Sequence, residues 1–283
     1  MDKTMRTAAG AMLQTALKWN LPYEVMANST LNQKFGILPN MLPTSSRDLA
    51  VRYMTIGIGG QNISVGAGGR RVLTSAFRQP SHASLYDHVP FVMREFDNDL
   101  PVVQRNNYRL RTVMTVGGKQ YIAYYARVLP AVTTPVSLEL RTQEDGDVIT
   151  TTPWSYPIDS LNPKPPLLTN NQTMVTGSDS LVSTCILDLT ISKQETKEIV
   201  DAVTILFGSE AYAVISEIGL CSGVDYDQAA GDSSGGTINY REAIAVQVSD
   251  ILSVNFPAVY NNTGISYSID VGAVEPLLML SSV

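Results

Sequence analysis

The chain has 283 residues, of which 44% are hydrophobic and 16% charged. This charged fraction is well below the roughly 25% of ordinary domains, which excludes a disordered chain or a coiled coil. No apolar run reaches the roughly 18 residues of a membrane span, and the N-terminus lacks the apolar core of a signal peptide. We therefore expect synthesis in a reducing cytoplasm with Cys185 and Cys221 as free thiols, since a disulfide would need their segments to be neighbouring strands.

Charge is distributed unevenly along the chain. Residues 1–50 carry 5 basic and 3 acidic side chains, residues 51–141 carry 11 and 5, and residues 142–283 carry 4 and 18. Regions of opposite sign favour head-to-tail packing of copies or neighbours, because complementary potentials orient docking. A nucleic-acid surface is the competing interpretation. Arg70 and Arg71 are the only adjacent basic pair, so we expect no direct nucleic-acid contact.

The first half of the chain predicts one helix followed by β structure. Residues 4–19 have apolar side chains near a 3.6-residue period and predict a helix. Residues 22–48, rich in Pro, Asn, Ser and Thr, predict an irregular arm. From residue 51 the pattern becomes β-like, and the runs 108–116 and 120–129 flank two glycines, which predicts a hairpin.

A proline-rich stretch separates the two halves. Residues 150–178 contain five prolines and predict an extended strap or linker. Residues 181–191 predict a strand, after which Ser192 and Glu195 have the spacing of a capping box and predict a helix that ends near Gly208.

The last third of the chain predicts mainly strands. Residues 212–222 predict a strand, 241–254 fit a strand or a helix equally, and 265–271 and 276–280 predict two short strands. Predicted strands outnumber predicted helices, and the sequence shows no repeated βαβ pattern. The sequence therefore predicts a β-rich α+β protein, with antiparallel sheets or a sandwich, a few helices and long extended connections. The predicted parts are an N-terminal helix and arm (1–50), a basic β-rich domain (51–149), the strap (150–178) and an acidic α+β domain (179–283).

Several stretches invite catalytic interpretations that their residue patterns do not support. The glycines at 57–60 lack the third glycine and the following helix of a dinucleotide fingerprint. The stretch 231–236 has an extra serine relative to the Gly-Asp-Ser-Gly of a chymotrypsin-like nucleophile. His82 and His88 are six residues apart and do not share a helical face. We expect no catalytic residue, no metal site and no cofactor.

Tyrosine and arginine are the residues that most often anchor protein interfaces. The chain has 13 Tyr, and its arginines are concentrated between residues 51 and 141. We predict interface positions, with the arginines contacting acidic surfaces, at Arg70, Arg71, Arg105, Arg109, Arg111, Trp19 and Trp154.

Five runs together resemble uncharacterised virion structural proteins of tailed bacteriophages: Tyr53–Gly60, Leu85–Phe91, Tyr108–Arg111, Ile215–Gly223 and Glu242–Val248. A weaker similarity, in the order of parts, is to the baseplate wedge proteins of contractile tails. The resemblance implies a virion component in the tail or baseplate, made in the host cytoplasm, that binds other virion proteins and copies of itself. The alternatives are a neck, collar or head–tail connector protein and, in a different class, a tail-associated polysaccharide or cell-wall hydrolase.

Overall fold

The computed structural model describes residues 3–19, 21–43, 49–65, 67–75, 78–132, 134–144, 148–165, 167, 172–231, 237–258 and 264–282. The chain forms two compact units. Unit 1 comprises Met1–Leu129 and Ile191–Ile265, and unit 2 comprises Pro130–Thr190 and Ser266–Val283.

Within the described residues the strands are β1 (Lys3–Arg6), β2 (Ala50–Gly57), β3 (Gln61–Val65), β4 (Arg71–Ser75), β5 (His88–Val89), β6 (Val92–Glu95), β7 (Tyr108–Val116), β8 (Lys119–Val128), β9 (Ser137–Glu144), β10 (Val148–Pro153), β11 (Gln172–Ile191), β12 (Val214–Gly231), β13 (Thr237–Pro257) and β14 (Ile265–Ser282). The helices are α1 (Ala8–Trp19), α2 (Leu31–Phe35), α3 (Val102–Arg105) and α4 (Lys193–Phe207). Short 3₁₀ turns occupy Ala27–Ser29, Ala67–Gly69, Ile158–Leu161 and Glu210–Tyr212.

Unit 1 is built on a large sheet in the order β1-β13-β12-β2-β8-β6, with β5 beside β2 and β7 beside β8. The described pairings in this sheet are antiparallel. β3 and β4 pair in a separate hairpin. Residues 242–249 of β13 are buried without alternation, so this strand is covered on both faces and lies in the core.

Helices pack against two parts of this sheet. Both α1 and α2 pack on β13, and α4 packs beside β6. α1 approaches β13 so closely that a side chain at Gly10 would collide with the carbonyl oxygen of Ser249. The helix predicted over residues 4–19 begins only at Ala8, because Lys3–Arg6 pair with residues 250–253 as an edge strand of the sheet.

Two predictions based on local sequence signals are confirmed. β7 and β8 form the expected antiparallel hairpin, and Gly117 and Gly118 have the positive φ angles, 58° and 82°, that its turn requires. α4 begins with the expected capping box. The Ser192 hydroxyl accepts from the Glu195 amide at 3.2 Å, and the Glu195 carboxylate accepts from the Ser192 amide at 2.9 Å. The helix ends at Gly208, which is left-handed with φ 74°.

Unit 2 contains a four-stranded sheet in the order β10-β9-β11-β14. β9 pairs antiparallel with both β10 and β11. β14 also runs against β11, because Thr190 contacts Ser266 and Cys185 contacts Val271 further along. β14 continues through Pro276 as one strand, where the sequence predicts two. Pro276 is tolerated because β14 is an edge strand of this sheet.

The division of the chain into these two units does not follow the domain boundaries predicted from composition. The predicted boundary between residues 149 and 150 falls inside β10, and residues 172–178 of the predicted strap belong to β11. Proline content therefore marks the connection between two strands of one sheet and not a junction between domains. Residues 166 and 168–171 of the strap lie outside the described residues.

The observed class agrees with the predicted one: the structure is β-rich α+β with antiparallel sheets and a few helices. Both cysteines are free thiols, with Cys221 buried and Cys185 half-buried. In the part of the chain that the structure describes, no helix has the length and apolarity needed to cross a membrane.

Candidate assembly surface

Unit 2 is strongly acidic, whereas unit 1 is nearly neutral. Unit 2 contains nine acidic and two basic residues, and unit 1 contains 17 acidic and 18 basic residues. The net negative charge of the protein is therefore located in unit 2.

The first part of β11 and the last part of β14 form a two-stranded ribbon, which we call the apolar ribbon (residues 172–179 and 275–282). The strands lie side by side here, since a side chain at Gly177 would be 3.1 Å from the carbonyl oxygen of Leu277. β9 pairs with β11 only over Ser180–Thr184, and β14 has β11 as its only neighbour in the sheet order. Among the described residues, no third strand borders the apolar ribbon.

Both faces of the apolar ribbon are hydrophobic. Its exposed large side chains are Met174, Val175, Leu277, Leu278, Met279 and Leu280. Successive strand residues point to opposite faces, so the run from 277 to 280 places two of these side chains on each face. A two-stranded ribbon is at best marginally stable alone in water, and a contiguous exposed apolar patch is typical of an interaction site. We therefore take the apolar ribbon as the candidate assembly surface.

The predicted interface residues are found in different environments. Arg70 is exposed in unit 1. Trp154 is half-buried in unit 2, where its amide donates to the Leu138 carbonyl at 2.9 Å and its ring packs edge-on against Tyr156 at 4.6 Å. The side chains of Arg71 and Trp19 fall outside the described part of the structure.

Arg109 is buried and paired within the chain. Its guanidinium donates from Nε to Asp225 at 2.8 Å and from Nη2 to the same carboxylate at 3.0 Å. The Tyr53 hydroxyl donates to Asp225 at 2.6 Å. Burial alone would raise the pKa of Asp225, but the hydrogen bonds from Arg109 and Tyr53 outweigh it and lower this pKa below its usual value. Only 4% of the Arg109 side chain is exposed, so it is not available to an acidic surface of a partner.

Arg105 and Arg111 share one carboxylate of their own chain. Asp99 lies 3.3 Å from Arg111 Nη2 and 3.8 Å from Arg105 Nε, and it also accepts the Tyr124 hydroxyl at 2.6 Å. Both guanidinium groups lie over the ring of Tyr240, at 4.9 and 5.1 Å from its centroid. This network fastens β7 and the loop before it to the β12–β13 hairpin of unit 1. The structure gives these two arginines partners within their own chain, and their contact with an acidic surface of a partner stays a prediction.

The opposite charges of the two sequence regions meet inside unit 1. Among the described residues of unit 1, four ion pairs join an arginine from residues 51–141 to an acidic residue from 142–283: Arg78–Glu217, Arg94–Glu198, Arg109–Asp225 and Arg127–Glu195. Much of the charge asymmetry is therefore neutralised within one unit of one chain. The charge asymmetry therefore supports head-to-tail docking of copies less strongly in the folded chain than in the sequence alone.

Comparison with known families places the whole chain in one of them. Residues 1–283 match a Family of unknown function (DUF7208). The chain belongs to DUF7208. No curated protein and no solved structure matches it.

In this DUF7208 chain the glycines at 57–60 surround a buried carboxylate. Glu217 is fully buried, pairs with the guanidinium of Arg78 and accepts the Tyr86 amide at 3.1 Å. A side chain at Gly57 would lie 2.7 Å from the Glu217 carboxylate, and one at Gly60 would lie 2.7 Å from the Arg78 guanidinium. Burial raises the pKa of Glu217 above its usual value, although Arg78 and the amide favour the ionised form. The glycines serve internal packing around this ion pair.

The two histidines make separate contacts. The Nε2 atom of His88 accepts the Leu85 amide at 3.1 Å and lies 2.9 Å from the Ser84 hydroxyl, to which Lys34 donates at 2.6 Å. Burial, together with the charge of Lys34, lowers the pKa of His88 to about 3. The imidazole is therefore neutral at pH 7, and its acceptor nitrogen is already occupied, so it is a poor general base for Ser84.

The described residues contain no cluster of three or more His, Cys, Asp or Glu side chains that could hold a metal ion. The His82 ring packs edge-on against the Tyr86 ring, with 5.6 Å between their centroids. Of the serine-rich stretch 231–236, only the backbone of residue 231 lies within the described residues.

Unit 1 also contains an open cavity of about 300 Å³ at the N-terminal end of α4. Its lining is mainly polar and consists of Val92, Arg94, Leu100, Gln104, Asn107, Tyr108, Ser192, Gln194, Glu195 and Glu198. Both carboxylates are already paired, Glu198 with Arg94 at 2.5 Å and Glu195 with Arg127 at 2.7 Å. The cavity therefore presents no free charged group from these pairs.

Sequence reasoning missed the apolar ribbon and the role of Asp99. The ribbon had a visible signal, because residues 276–280 contain no charge and four consecutive large apolar side chains. No sequence signal indicates the role of Asp99, because its partners Arg111 and Tyr124 come together only through the pairing of β7 with β8.

Proposed function

We propose that this chain is a structural component of a tailed-bacteriophage particle, located in the tail or baseplate, that acts by protein–protein assembly. The observation that carries the proposal is the apolar ribbon, whose hydrophobic faces and position at the edge of its sheet suit burial against another protein. The sequence resemblance to virion structural proteins supplies the class of particle.

The charged groups of unit 1 are consistent with a structural role. Arg109, Arg127 and Arg78 each pair with a carboxylate of the same chain and have side chains no more than 10% exposed. Such pairs fix the positions of strands and helices relative to one another. A connector that contacts DNA requires guanidinium groups free to reach phosphates, which favours the tail or baseplate over the neck.

The proposal is tested by mass spectrometry of purified particles from cells that express the chain from its native gene. We expect its peptides in gradient-purified particles, in several copies per particle when measured against isotope-labelled standards. After heads and tails are separated, we expect the chain in the tail fraction. Recovery in the head or neck fraction would favour the connector alternative, and absence from intact particles would overturn the proposal.

A further inference from the structure

We propose that the outer edge of β14 in the apolar ribbon binds the same edge of a second copy of this chain, forming a two-fold dimer through a continuous antiparallel sheet. The inference rests on the proposed assembly role and specifies the partner and the contact.

The outer edge of β14, the last strand in the sheet order, supplies the backbone groups for this contact. Unpaired N–H and C=O groups along an edge strand are a ready template for another strand. After Pro276, residues 277–282 contain no further proline and no charged residue, so the ladder can run unbroken over about 20 Å. An antiparallel pairing of identical edges is isologous and closes as a dimer.

The side chains of this segment complement themselves. With the two-fold axis at Met279, Leu278 lies opposite Leu280 of the second copy and Met279 lies opposite its own counterpart, each pair on one face of the sheet. Both are apolar cross-strand pairs, which stabilise antiparallel sheets. In the same register the two copies of Glu275 lie at opposite ends of the paired segment, so the two glutamates do not face one another.

The distribution of charge favours a second copy over a basic partner. Of the nine acidic residues in unit 2, only Asp179 and Glu275 fall in the apolar ribbon, which has no Lys or Arg. Two acidic units repel each other least where their contact is uncharged. A basic partner would be attracted instead to the acidic residues outside the ribbon.

The test is the mass of the full-length chain in solution, measured by light scattering and sedimentation up to about 100 µM, which detects dimers of micromolar affinity. We expect the wild type to form a species of twice 30.7 kDa. We expect Leu278→Lys/Leu280→Lys to weaken dimerisation at least about tenfold, because it places four lysines around the two-fold axis. Leu277→Lys/Met279→Lys, on the opposite face, should do the same.

Control variants separate this contact from general surface hydrophobicity. Val103→Lys on α3 and Ile149→Lys on β10 remove exposed apolar side chains outside the ribbon, and both variants should dimerise like the wild type. Circular dichroism and thermal unfolding identify any variant that fails to fold. Hydrogen exchange adds a readout that needs no substitution: amides of residues 277–282 should become more protected as the wild-type concentration rises.

A wild-type chain that remains at 30.7 kDa throughout this range, or ribbon variants that dimerise unchanged, would overturn the proposal. If the chain is found in particles but is monomeric in solution, another particle protein covers the ribbon and only this inference fails. If the chain dimerises but is absent from particles, the proposed function fails and the dimer contact stands.

Discussion

Arg109 and Asp225 are 116 positions apart in the chain, and two hydrogen bonds of 2.8 and 3.0 Å join the guanidinium of one to the carboxylate of the other. The pair connects β7 to β12 across unit 1. The Arg109 side chain is 4% exposed and the Asp225 side chain 36% exposed. The buried guanidinium therefore relies on this ion pair to compensate its lost hydration more than the partly hydrated carboxylate does.

Removing the carboxylate should destabilise the protein strongly. Asp225→Ala leaves a buried guanidinium without its counter-charge, and we expect the free energy of unfolding to fall by about 3 kcal/mol. The matched control is Asp227→Ala, two residues further along β12, which removes an exposed pair with Arg241 and should have little effect. Urea unfolding of both variants measures the difference. Equal losses would show that the burial of Arg109 does not matter to stability.

The same pair should make stability depend on acidic pH. The pKa of Asp225 is lower in the folded chain than its usual value of 3.8, so the folded state binds this proton less readily than the unfolded state. Its stabilising contribution is therefore complete above the usual pKa and is lost as pH falls through the lowered one. The difference in unfolding free energy between the wild type and Asp225→Asn should be constant from pH 7 to about 5 and shrink below about 4. A difference independent of pH down to about 3 would contradict the assignment.

Gly60 should not tolerate even a methyl group. An alanine side chain there would meet the Ser216 carbonyl oxygen at 2.7 Å as well as the buried ion pair between Arg78 and Glu217. We expect Gly60→Ala to destabilise the protein by about 1–3 kcal/mol, the usual cost of overpacking. Gly117→Asn is the control, because that turn position has open space and a left-handed backbone that asparagine accepts. Thermal unfolding should separate the two variants clearly.

Glu195 should matter more than the other half of its capping box. Ser192→Ala removes the hydroxyl cap of α4 and should cost about 1 kcal/mol. Glu195→Ala removes the reciprocal cap and also the partner of Arg127, whose side chain is 10% exposed, so its cost should be larger, about 2–4 kcal/mol. Glu195→Gln keeps an acceptor for the Ser192 amide and should fall between the two. If Ser192→Ala proves the costlier change in denaturant unfolding, the pairing with Arg127 contributes little.

Local signals predicted the parts of the fold that depend on neighbouring residues. The capping box at Ser192 and the glycine turn at Gly117 need only a few consecutive positions to be recognised. Residues 241–254 could not be assigned because β13 is buried on both faces, which removes the alternation that distinguishes a strand. Pro276 predicts a break between two strands unless the strand is known to lie at the edge of its sheet, where a proline is tolerated.

The environments of the predicted interface residues and the candidate assembly surface were less predictable, because both depend on contacts between residues that are far apart in the sequence. Arg109 looks like an exposed interface residue until β7 and β12 are placed in one unit. The opposite charges of the two sequence regions predict attraction, but the sequence does not say whether the attraction acts within a chain or between chains. The ribbon follows from the position of β14 at the edge of its sheet, which is a property of topology.

The edge strand β1 has a consequence for biosynthesis. Lys3–Arg6 pair with residues 250–253, so β1 cannot take its place in the sheet until the chain up to residue 253 has been synthesised. At 5–20 residues per second the delay is roughly 10–50 s. The sheet of unit 2 is also completed late, because β11 pairs with β14, which follows every strand of unit 1 in the sequence. Both sheets therefore close only once their last strands have been synthesised.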